Sequence, residues 1–154
     1  MNKSIELPRR GWYGPFDLTR RSTFAFFTEE SLRFADMDRN GHVNNVAFTV
    51  FIENARVSFM TSSPVLERTA NIGFVVAHVS VDYLAQLFYP GHVSSACRIV
   101  EVRRASLVLG HAIFRGDQCV ATGHSIIVMV DHATGKSAAI PEAARARLEQ
   151  MAQP

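Results

Sequence analysis

Polar residues crowd into one short segment of the chain. Six Asp, Asn and His side chains fall within ten positions: Asp36, Asp38, Asn40, His42, Asn44 and Asn45. Side chains of these types favour turns and helix caps because they hydrogen-bond to nearby backbone groups. If Asn44 or a near neighbour caps a helix, the first backbone N–H groups of that helix lack intrahelical acceptors. Beside a carboxylate, such a helix end can polarise a carbonyl group and stabilise an oxyanion.

The element that must position these groups is a helix, which we predict over residues 43–60. This helix would be apolar on nearly every side, and its main polar residues are Thr49, Glu53, Asn54 and Arg56. A helix that is apolar all round is a buried helix. Other parts of the chain are therefore expected to wrap around it.

The rest of the chain reads mainly as strands. Aromatic and β-branched residues predict a first strand within residues 23–34, before the polar cluster. Four more strands are predicted after the helix, at 74–84, 93–102, 107–114 and 119–130. A short helix should run from Pro141 through Met151, since proline is tolerated in a first turn. This order predicts an α+β domain with a curved antiparallel sheet around the long helix.

Composition describes an ordinary globular protein. The 154 residues suffice for one domain, and Lys plus Arg (16) barely exceed Asp plus Glu (14), which does not indicate nucleic acid. Cys97 and Cys119 lie 22 positions apart without zinc-ligand spacing, which favours two buried thiols in a reducing cytoplasm. We find neither a signal sequence nor an apolar run near the ~20 residues of a membrane span. Residues 1–22 are interpreted as an irregular basic arm, and 23–154 as the domain.

A calcium loop is one alternative for the polar cluster. Asp36, Asp38, Asn40 and Gly41 fit the first positions of an EF-hand loop, but Ala47 stands where the bidentate Glu is required. Calcium is therefore disfavoured. A purely structural role is stronger for each residue taken singly, because Asp and Asn commonly cap and turn a strand-to-helix corner.

Taken together, the residues carry a resemblance. The order G-H-V-N-N, followed by F-x-x-x-x-E-x-A-R, resembles hotdog-fold thioesterases of the 4-hydroxybenzoyl-CoA thioesterase type, which share the signature D-x-D-x-x-G-H-V-N-N. Residues 82–84, 89–91 and 131–141 are similar to later motifs of that family. The resemblance covers about residues 25–141 and implies a hotdog fold.

The resemblance also implies roles for individual residues. The family's catalytic carboxylate falls on Asp38, as nucleophile or as the base that activates water, and Asn45 would supply the helix N–H that polarises the thioester carbonyl. Plant acyl-carrier-protein thioesterases share D-x-N-x-H-V-N-N, which matches Asp38, Asn40, His42, Val43, Asn44 and Asn45. In that group Asn and His act beside Asp. Whether His42 does chemistry or shapes the loop stays open, and Val43 and Asn44 are expected to contact substrate.

Other candidates lie outside the motif. Glu53 is expected mainly to pair with Arg56 at i, i+3, with a supporting catalytic role as the alternative. Arg103 and Arg104 are candidates for binding coenzyme A phosphates, since Arg matches phosphate geometry, although a surface charge run is the commoner explanation. Phe48 is a core residue that could also line an acyl pocket.

The function that we predict is acyl-CoA hydrolysis without a metal or an organic cofactor. Hotdog relatives pair into dimers, so a homodimer or a dimer of dimers is expected, with no nucleic-acid or membrane partner. One rival is a hotdog hydratase, whose D-x-N-P-x-H loop has a proline and one more residue before the His than this chain. The other is a noncatalytic acyl-CoA binder, which the presence of Asp38 disfavours. The preferred acyl group and the choice between coenzyme A and carrier-protein thioesters stay open.

Overall fold

A computed structural model describes residues 10–66 and 71–154. Its strands and helices, in chain order, are β1 (Trp12–Tyr13), β2 (Phe16–Asp17), β3 (Phe26–Ser31), α1 (Asn45–Ser62), β4 (Ile72–Tyr83), β5 (His92–Val102), β6 (Ser106–Arg115), β7 (Gln118–Asp131) and α2 (Glu142–Met151). Single 3-10 turns lie at Arg21–Thr23, Phe34–Asp36 and Pro64–Leu66. The predicted order of elements is confirmed, with most bounds shifted by one or two residues.

Five strands form one antiparallel sheet in the order β3-β5-β6-β7-β4. Bulges interrupt the register at three places, between Val76 and His78, between Ile99 and Glu101, and between Ile113 and Phe114. Bulges bend strands and increase their twist, which suits a sheet that curves around a helix. The α+β prediction, with one central helix, is confirmed.

Helix α1 packs on one half of the sheet, against β3, β5 and β6. Its buried apolar side chains are Ala47, Phe48, Phe51, Ile52, Ala55 and Phe59. The expectation of a helix covered on every side is wrong for this chain by itself. Val46, Val50 and Val57 are 61%, 40% and 50% exposed, because β7 and β4 leave that side of the helix open.

The outer strand β4 borders this open side. No strand of residues 10–66 and 71–154 pairs with its free edge. Val76, Val79 and Tyr83 on β4 are 47%, 40% and 42% exposed. We call the gap between α1 and β4 the open groove.

The other face of the sheet is covered by the segment that precedes β3. Phe16, Leu18 and Phe24 are buried there against side chains that include Val108 and Phe114. The prediction of an irregular arm needs correction over its described part, because β1 and β2 form a small antiparallel hairpin. The hairpin is stabilised by packing that its own short strands could not supply. The remainder of the predicted arm, residues 1–9, lies outside the described residues.

Candidate functional site

The polar loop before α1 is held at both ends. The buried Asp36 carboxylate accepts hydrogen bonds from the Arg33 guanidinium (Nη2 to Oδ1, 2.6 Å) and from the Arg33 backbone N–H (2.8 Å). These hydrogen bonds hold the pKa of the Asp36 carboxyl below its ordinary value. The Asn44 N–H donates to the Asp36 carbonyl at 2.8 Å, and Met37 forms a bridge with Val43. The loop between these contacts is therefore a fixed platform.

Asp38 lies inside that loop and is oriented by it. Its Oδ1 accepts from the Asn40 N–H at 2.7 Å, and its own N–H donates to the His42 carbonyl at 2.9 Å. Gly41 allows this tight turn because its φ of +83° lies in the left-handed region. Within the described chain, Oδ2 of Asp38 makes no hydrogen bond, so one carboxylate oxygen is held and the other is free to act.

The ring of His42 lies next to that free oxygen. Its Nδ1 is 3.6 Å from Asp38 Oδ2, which is within ion-pair range but longer than a hydrogen bond. The ring also packs edge-on against Phe88, with centroids 6.3 Å apart. His42 is thus placed to hydrogen-bond a group that binds between it and Asp38.

The first turn of α1 leaves one donor free. Asn44 is the N-cap, as the sequence predicted, and its Oδ1 accepts from the Val46 N–H at 3.0 Å. The Asn44 carbonyl accepts from the Ala47 N–H, also at 3.0 Å. The Asn45 N–H has no acceptor among the residues that the structure describes. It is therefore the donor that the positive end of the helix presents to a ligand.

These groups open onto one cavity of about 310 Å³. Its lining is Asp38, Asn40, His42, Val43, Asn45, Phe48, Tyr83, Ala85 and Gln86. The volume falls at the lower end of the range for small-molecule sites, about 300 to 1,000 Å³. We call it the site cavity. It brings together six of the predicted site residues, and a seventh, Asn44, caps the helix beside it.

A sequence model for the thioesterase-like superfamily matches residues 32–148. The chain belongs to this superfamily. Among curated proteins, this thioesterase-like chain is 27% identical over 135 residues to the uncharacterized protein YsmA of Bacillus subtilis strain 168, with 86% of each chain covered.

Solved structures agree with the family. A thioesterase of Thermus thermophilus, solved in complex with coenzyme A and Zn, is 32% identical, with a TM-score of 0.72 over 85% of this chain and 97% of that one. A thioesterase-superfamily protein of Jannaschia sp. CCS1 is 26% identical, with a TM-score of 0.76 over 84% of each chain. The hotdog fold is thereby confirmed, and a thioesterase function, hence a hydrolase, is supported.

Three predicted site residues lie away from the site cavity of this superfamily member. Glu53 follows Asn45 by about 12 Å along the helix axis, estimated from the helical rise, and lines another cavity. Arg103 and Arg104 follow the last residue of β5, which lies about 33 Å from the first by strand geometry. Arg103 there donates to the Glu101 carboxylate at 2.8 Å. Within one chain, neither arginine reaches the site cavity.

Sequence reasoning missed the contribution of the connection between β4 and β5. Tyr83 and Gln86 line the site cavity, and Phe88 contacts the His42 ring. Tyr83 also packs edge-on against Phe48 at 5.3 Å and donates from its hydroxyl to the Asn45 carbonyl at 3.3 Å. The available signal was an aromatic residue at a predicted strand end inside a recognised motif, yet no role was assigned to it.

Over residues 10–66 and 71–154, no group of three or more His, Cys, Asp or Glu side chains is arranged to hold a metal ion. Across the same residues, the helices are all too short or too polar to cross a bilayer.

Proposed function

We propose that this protein is an acyl-CoA thioesterase, which hydrolyses an acyl-CoA to a free carboxylic acid and coenzyme A. One observation carries the proposal. The free carboxylate oxygen of Asp38 and the free N–H of Asn45 open onto the same cavity. A carboxylate beside a directed N–H donor is the pair that hydrolysis of a thioester requires. The likeness of residues 36–56 to the 4-hydroxybenzoyl-CoA thioesterase signature supports the same roles.

The helix end acts on the carbonyl oxygen of the thioester. Asn45 N–H donates to that oxygen and stabilises the negative charge that develops on it as the carbonyl carbon becomes tetrahedral. The positive end of α1 adds to this effect. Loss of one such donor costs about 10²- to 10³-fold in kcat in well-studied enzymes.

Asp38 acts on the carbonyl carbon through Oδ2, since Oδ1 is occupied by the Asn40 N–H. As general base, Oδ2 takes a proton from water while the water oxygen attacks the carbon. As nucleophile, Oδ2 attacks directly and forms an anhydride that water then cleaves. In both routes the C–S bond breaks and coenzyme A leaves as a thiolate, which takes up a proton. His42 hydrogen-bonds the attacking water or the carboxylate.

Coenzyme A as the carrier is supported by the Thermus thermophilus neighbour, which was solved with it. Phe48 and Tyr83 form the apolar side of the site cavity, where the first atoms of the acyl group are expected to bind. A cytoplasmic location stays a prediction, consistent with Cys97 and Cys119 being free thiols.

The functional unit in this proposal is a homodimer joined through β4. The free edge of β4, with the exposed Val75 and Val79, forms an apolar surface that a second copy can cover. Antiparallel pairing of two β4 strands turns the second copy end for end. The β5–β6 hairpin of the second copy then lies near the site cavity of this copy. In that position, Arg103 and Arg104 of the second copy would meet the phosphates of coenzyme A. A dimer of dimers extends the same arrangement.

The test is thiol release by the purified protein across short, long, branched, aromatic and carboxylated acyl-CoAs. Asp38→Asn is the inactive variant, since it keeps the shape of the side chain and removes its charge. Asp117→Asn is the matched control, because it makes the same change at an exposed turn carboxylate that lines neither cavity. Wild-type turnover that is lost only in Asp38→Asn supports the proposal. Full activity in a folded Asp38→Asn protein contradicts it, and binding without turnover points to a noncatalytic acyl-CoA binder.

A further inference from the structure

A second cavity, of about 390 Å³, lies in the open groove beside the C-terminal half of α1. Its lining is Glu53, Arg56, Val57, Met60, Thr61, Leu66, Phe74, Val76 and Ile127. Six of these nine wall residues are apolar. The exceptions are Thr61 and the charged pair Glu53 and Arg56. We call it the distal cavity.

Arg56 is an unusual residue to find in such a wall. It is only 6% exposed, and its nearest carboxylate oxygen, on Glu53, is 3.9 Å away, which is too long for a hydrogen bond. In the described residues nothing accepts a hydrogen bond from its guanidinium. The Glu53 side chain is 63% exposed, so most of its interaction is with solvent. A buried guanidinium without a hydrogen-bonded anion is an unfavourable state that a suitable ligand would relieve.

The groups beneath Arg56 do not supply that anion. Burial raises the pKa of the Cys97 thiol far above its ordinary value, so the sulfur is protonated and neutral. Burial, together with the charge of Arg56, lowers the pKa of His111 to about 3, so its ring is neutral near pH 7. His111 is held by a 2.8 Å hydrogen bond between its Nε2 and the Ser125 hydroxyl. Among the described residues, therefore, no anion is hydrogen-bonded to the Arg56 guanidinium, and its positive charge faces the cavity.

The two cavities follow one another along the open groove. Asn45, Thr49, Arg56 and Met60 recur at spacings of four and seven residues, which places them on one face of α1. Strand β4 runs alongside in the opposite direction, with Tyr83 at the site cavity and Val76 at the distal cavity. Arg56 follows Asn45 by about 16 Å along the helix axis. An extended carbon chain advances about 1.3 Å per bond, because bonds of about 1.5 Å are inclined to its axis, so about a dozen bonds span this distance.

We propose that the distal cavity binds the far end of an acyl chain that carries a terminal carboxylate, and that Arg56 forms a bidentate ion pair with it. The substrate class is then an ω-carboxyacyl-CoA of about ten to twelve carbons, by the chain geometry given above. This inference rests on the proposed function, since the site cavity would hold the thioester of the same molecule. The planar guanidinium matches a carboxylate with two parallel N–H···O bonds, and Glu53 moves into solvent to make room.

A plain acyl chain of the same length would be a poorer fit. Its terminal methyl group would meet the Arg56 guanidinium without neutralising it. A carboxylate instead replaces solvent with a charge-assisted pair inside an apolar wall, where such pairs are strongest. The gain expected from hydrogen bonds to a charged group is about 10- to 100-fold in affinity.

The first experiment compares kcat/KM for dodecanedioyl-CoA and dodecanoyl-CoA. In the wild-type protein we expect a ratio of about 10 or more in favour of the carboxylated substrate. Arg56→Met should reduce the ratio to one or below, chiefly through KM, and Arg56→Lys should restore part of it because the charge returns without the planar fork. Equal ratios in the wild-type protein and in a folded Arg56→Met protein would overturn the inference. Replacing a buried cation with an apolar residue of similar length is expected to preserve folding, which circular dichroism checks.

Glu53→Gln separates recognition from a structural ion pair. If Arg56 binds the substrate carboxylate, removing the competing Glu53 charge should raise the preference for dodecanedioyl-CoA. If the two residues only stabilise the helix, Glu53→Gln should lower the melting temperature and leave the preference unchanged, which would count against the inference.

Calorimetric titration with free dodecanedioate and dodecanoate tests the distal cavity without any turnover. Tighter binding of dodecanedioate by the wild-type protein, lost in Arg56→Met, supports the inference even if no acyl-CoA is hydrolysed, in which case only the proposed function fails. Equal binding of the two acids, together with turnover of dodecanoyl-CoA, overturns the inference and leaves the proposed function standing.

Discussion

The two cavities along α1 are similar in volume, about 310 and 390 Å³, but they are built in opposite ways. The site cavity owes its chemistry to a single loop and the helix that follows it, where hydrogen bonds within residues 36–47 fix the backbone and hold one carboxylate oxygen of Asp38. The distal cavity is assembled from α1, β4, β7 and Leu66, with one buried charge in an apolar wall. The first arrangement positions reacting atoms, whereas the second selects a ligand by volume and charge. Changes at the site cavity should therefore alter turnover, and changes around the distal cavity should alter binding or stability.

The largest effect is expected from Asp38→Asn. General-base catalysis contributes about 10²- to 10⁴-fold, so kcat should fall by that range while KM changes little. His42→Gln should cause a smaller loss if the ring only assists, because its Nδ1 does not hydrogen-bond Asp38 in the free protein. Steady-state thiol release with both variants measures the two losses. A higher KM with an unchanged kcat in Asp38→Asn would show that this residue acts in binding and not in chemistry.

The next effect concerns the open groove that connects the two cavities. Val79 is 40% exposed on β4, so Val79→Asp places a charge where we propose that the second copy packs. The protein should shift from dimer to monomer in sedimentation analysis, and hydrolysis should fall with it. Gln150→Asp, on an exposed position of α2, is the matched control and should leave the mass unchanged. A wild-type protein that sediments as a monomer would remove the dimer from the proposal.

Some features of the fold and of the two cavities could be predicted from the sequence, and others could not. Strand positions were predictable because alternation and turn residues are local signals, and the site cavity was predictable because most of its residues lie within residues 38–48. The burial of Arg56 was not predictable, since it depends on strands that are far away in the sequence. The i, i+3 spacing from Glu53 indicated an ion pair, whereas the Arg56 side chain is buried and its guanidinium lies 3.9 Å from the nearest Glu53 oxygen. Likewise, nothing local distinguishes the exposed Val50 from the buried Phe51.

The third prediction is that His111, a buried histidine beside the distal cavity, makes the folded protein less stable in acid. His111 has a pKa of about 3 when folded and an ordinary value of about 6.5 when unfolded. Between these two pH values the unfolded chain therefore binds one more proton than the folded protein. The contribution of the neutral His111 ring to the free energy of unfolding is fully present above pH 6.5 and is lost as the pH falls towards 3. One proton corresponds to about 1.4 kcal/mol per pH unit within that window.

Urea unfolding at pH 7, 6 and 5 measures this slope. His111→Gln should unfold with a visibly flatter pH dependence than the wild-type protein. His92→Gln changes an exposed histidine at the first residue of β5 and should keep most of the wild-type slope. If His111→Gln and the wild-type protein lose stability in parallel, the buried ring is not the acid-sensitive group.

The smallest effect is expected from the caps of α1, where substitution of the N-cap Asn44 is compared with substitution of the C-cap Ser63. Asn44→Ala removes the side chain that accepts from the Val46 N–H, and loss of such a cap costs about 1 kcal/mol of unfolding free energy. Turnover should decline only modestly, because the proposed oxyanion donor, the Asn45 N–H, is not the group that Asn44 caps. Ser63→Ala, at the C-cap of the same helix, is the matched control, since its hydroxyl makes no cap hydrogen bond in the described residues. A loss of activity as large as that of Asp38→Asn, without a matching loss of stability, would show that Asn44 takes part in binding or chemistry and does more than cap the helix.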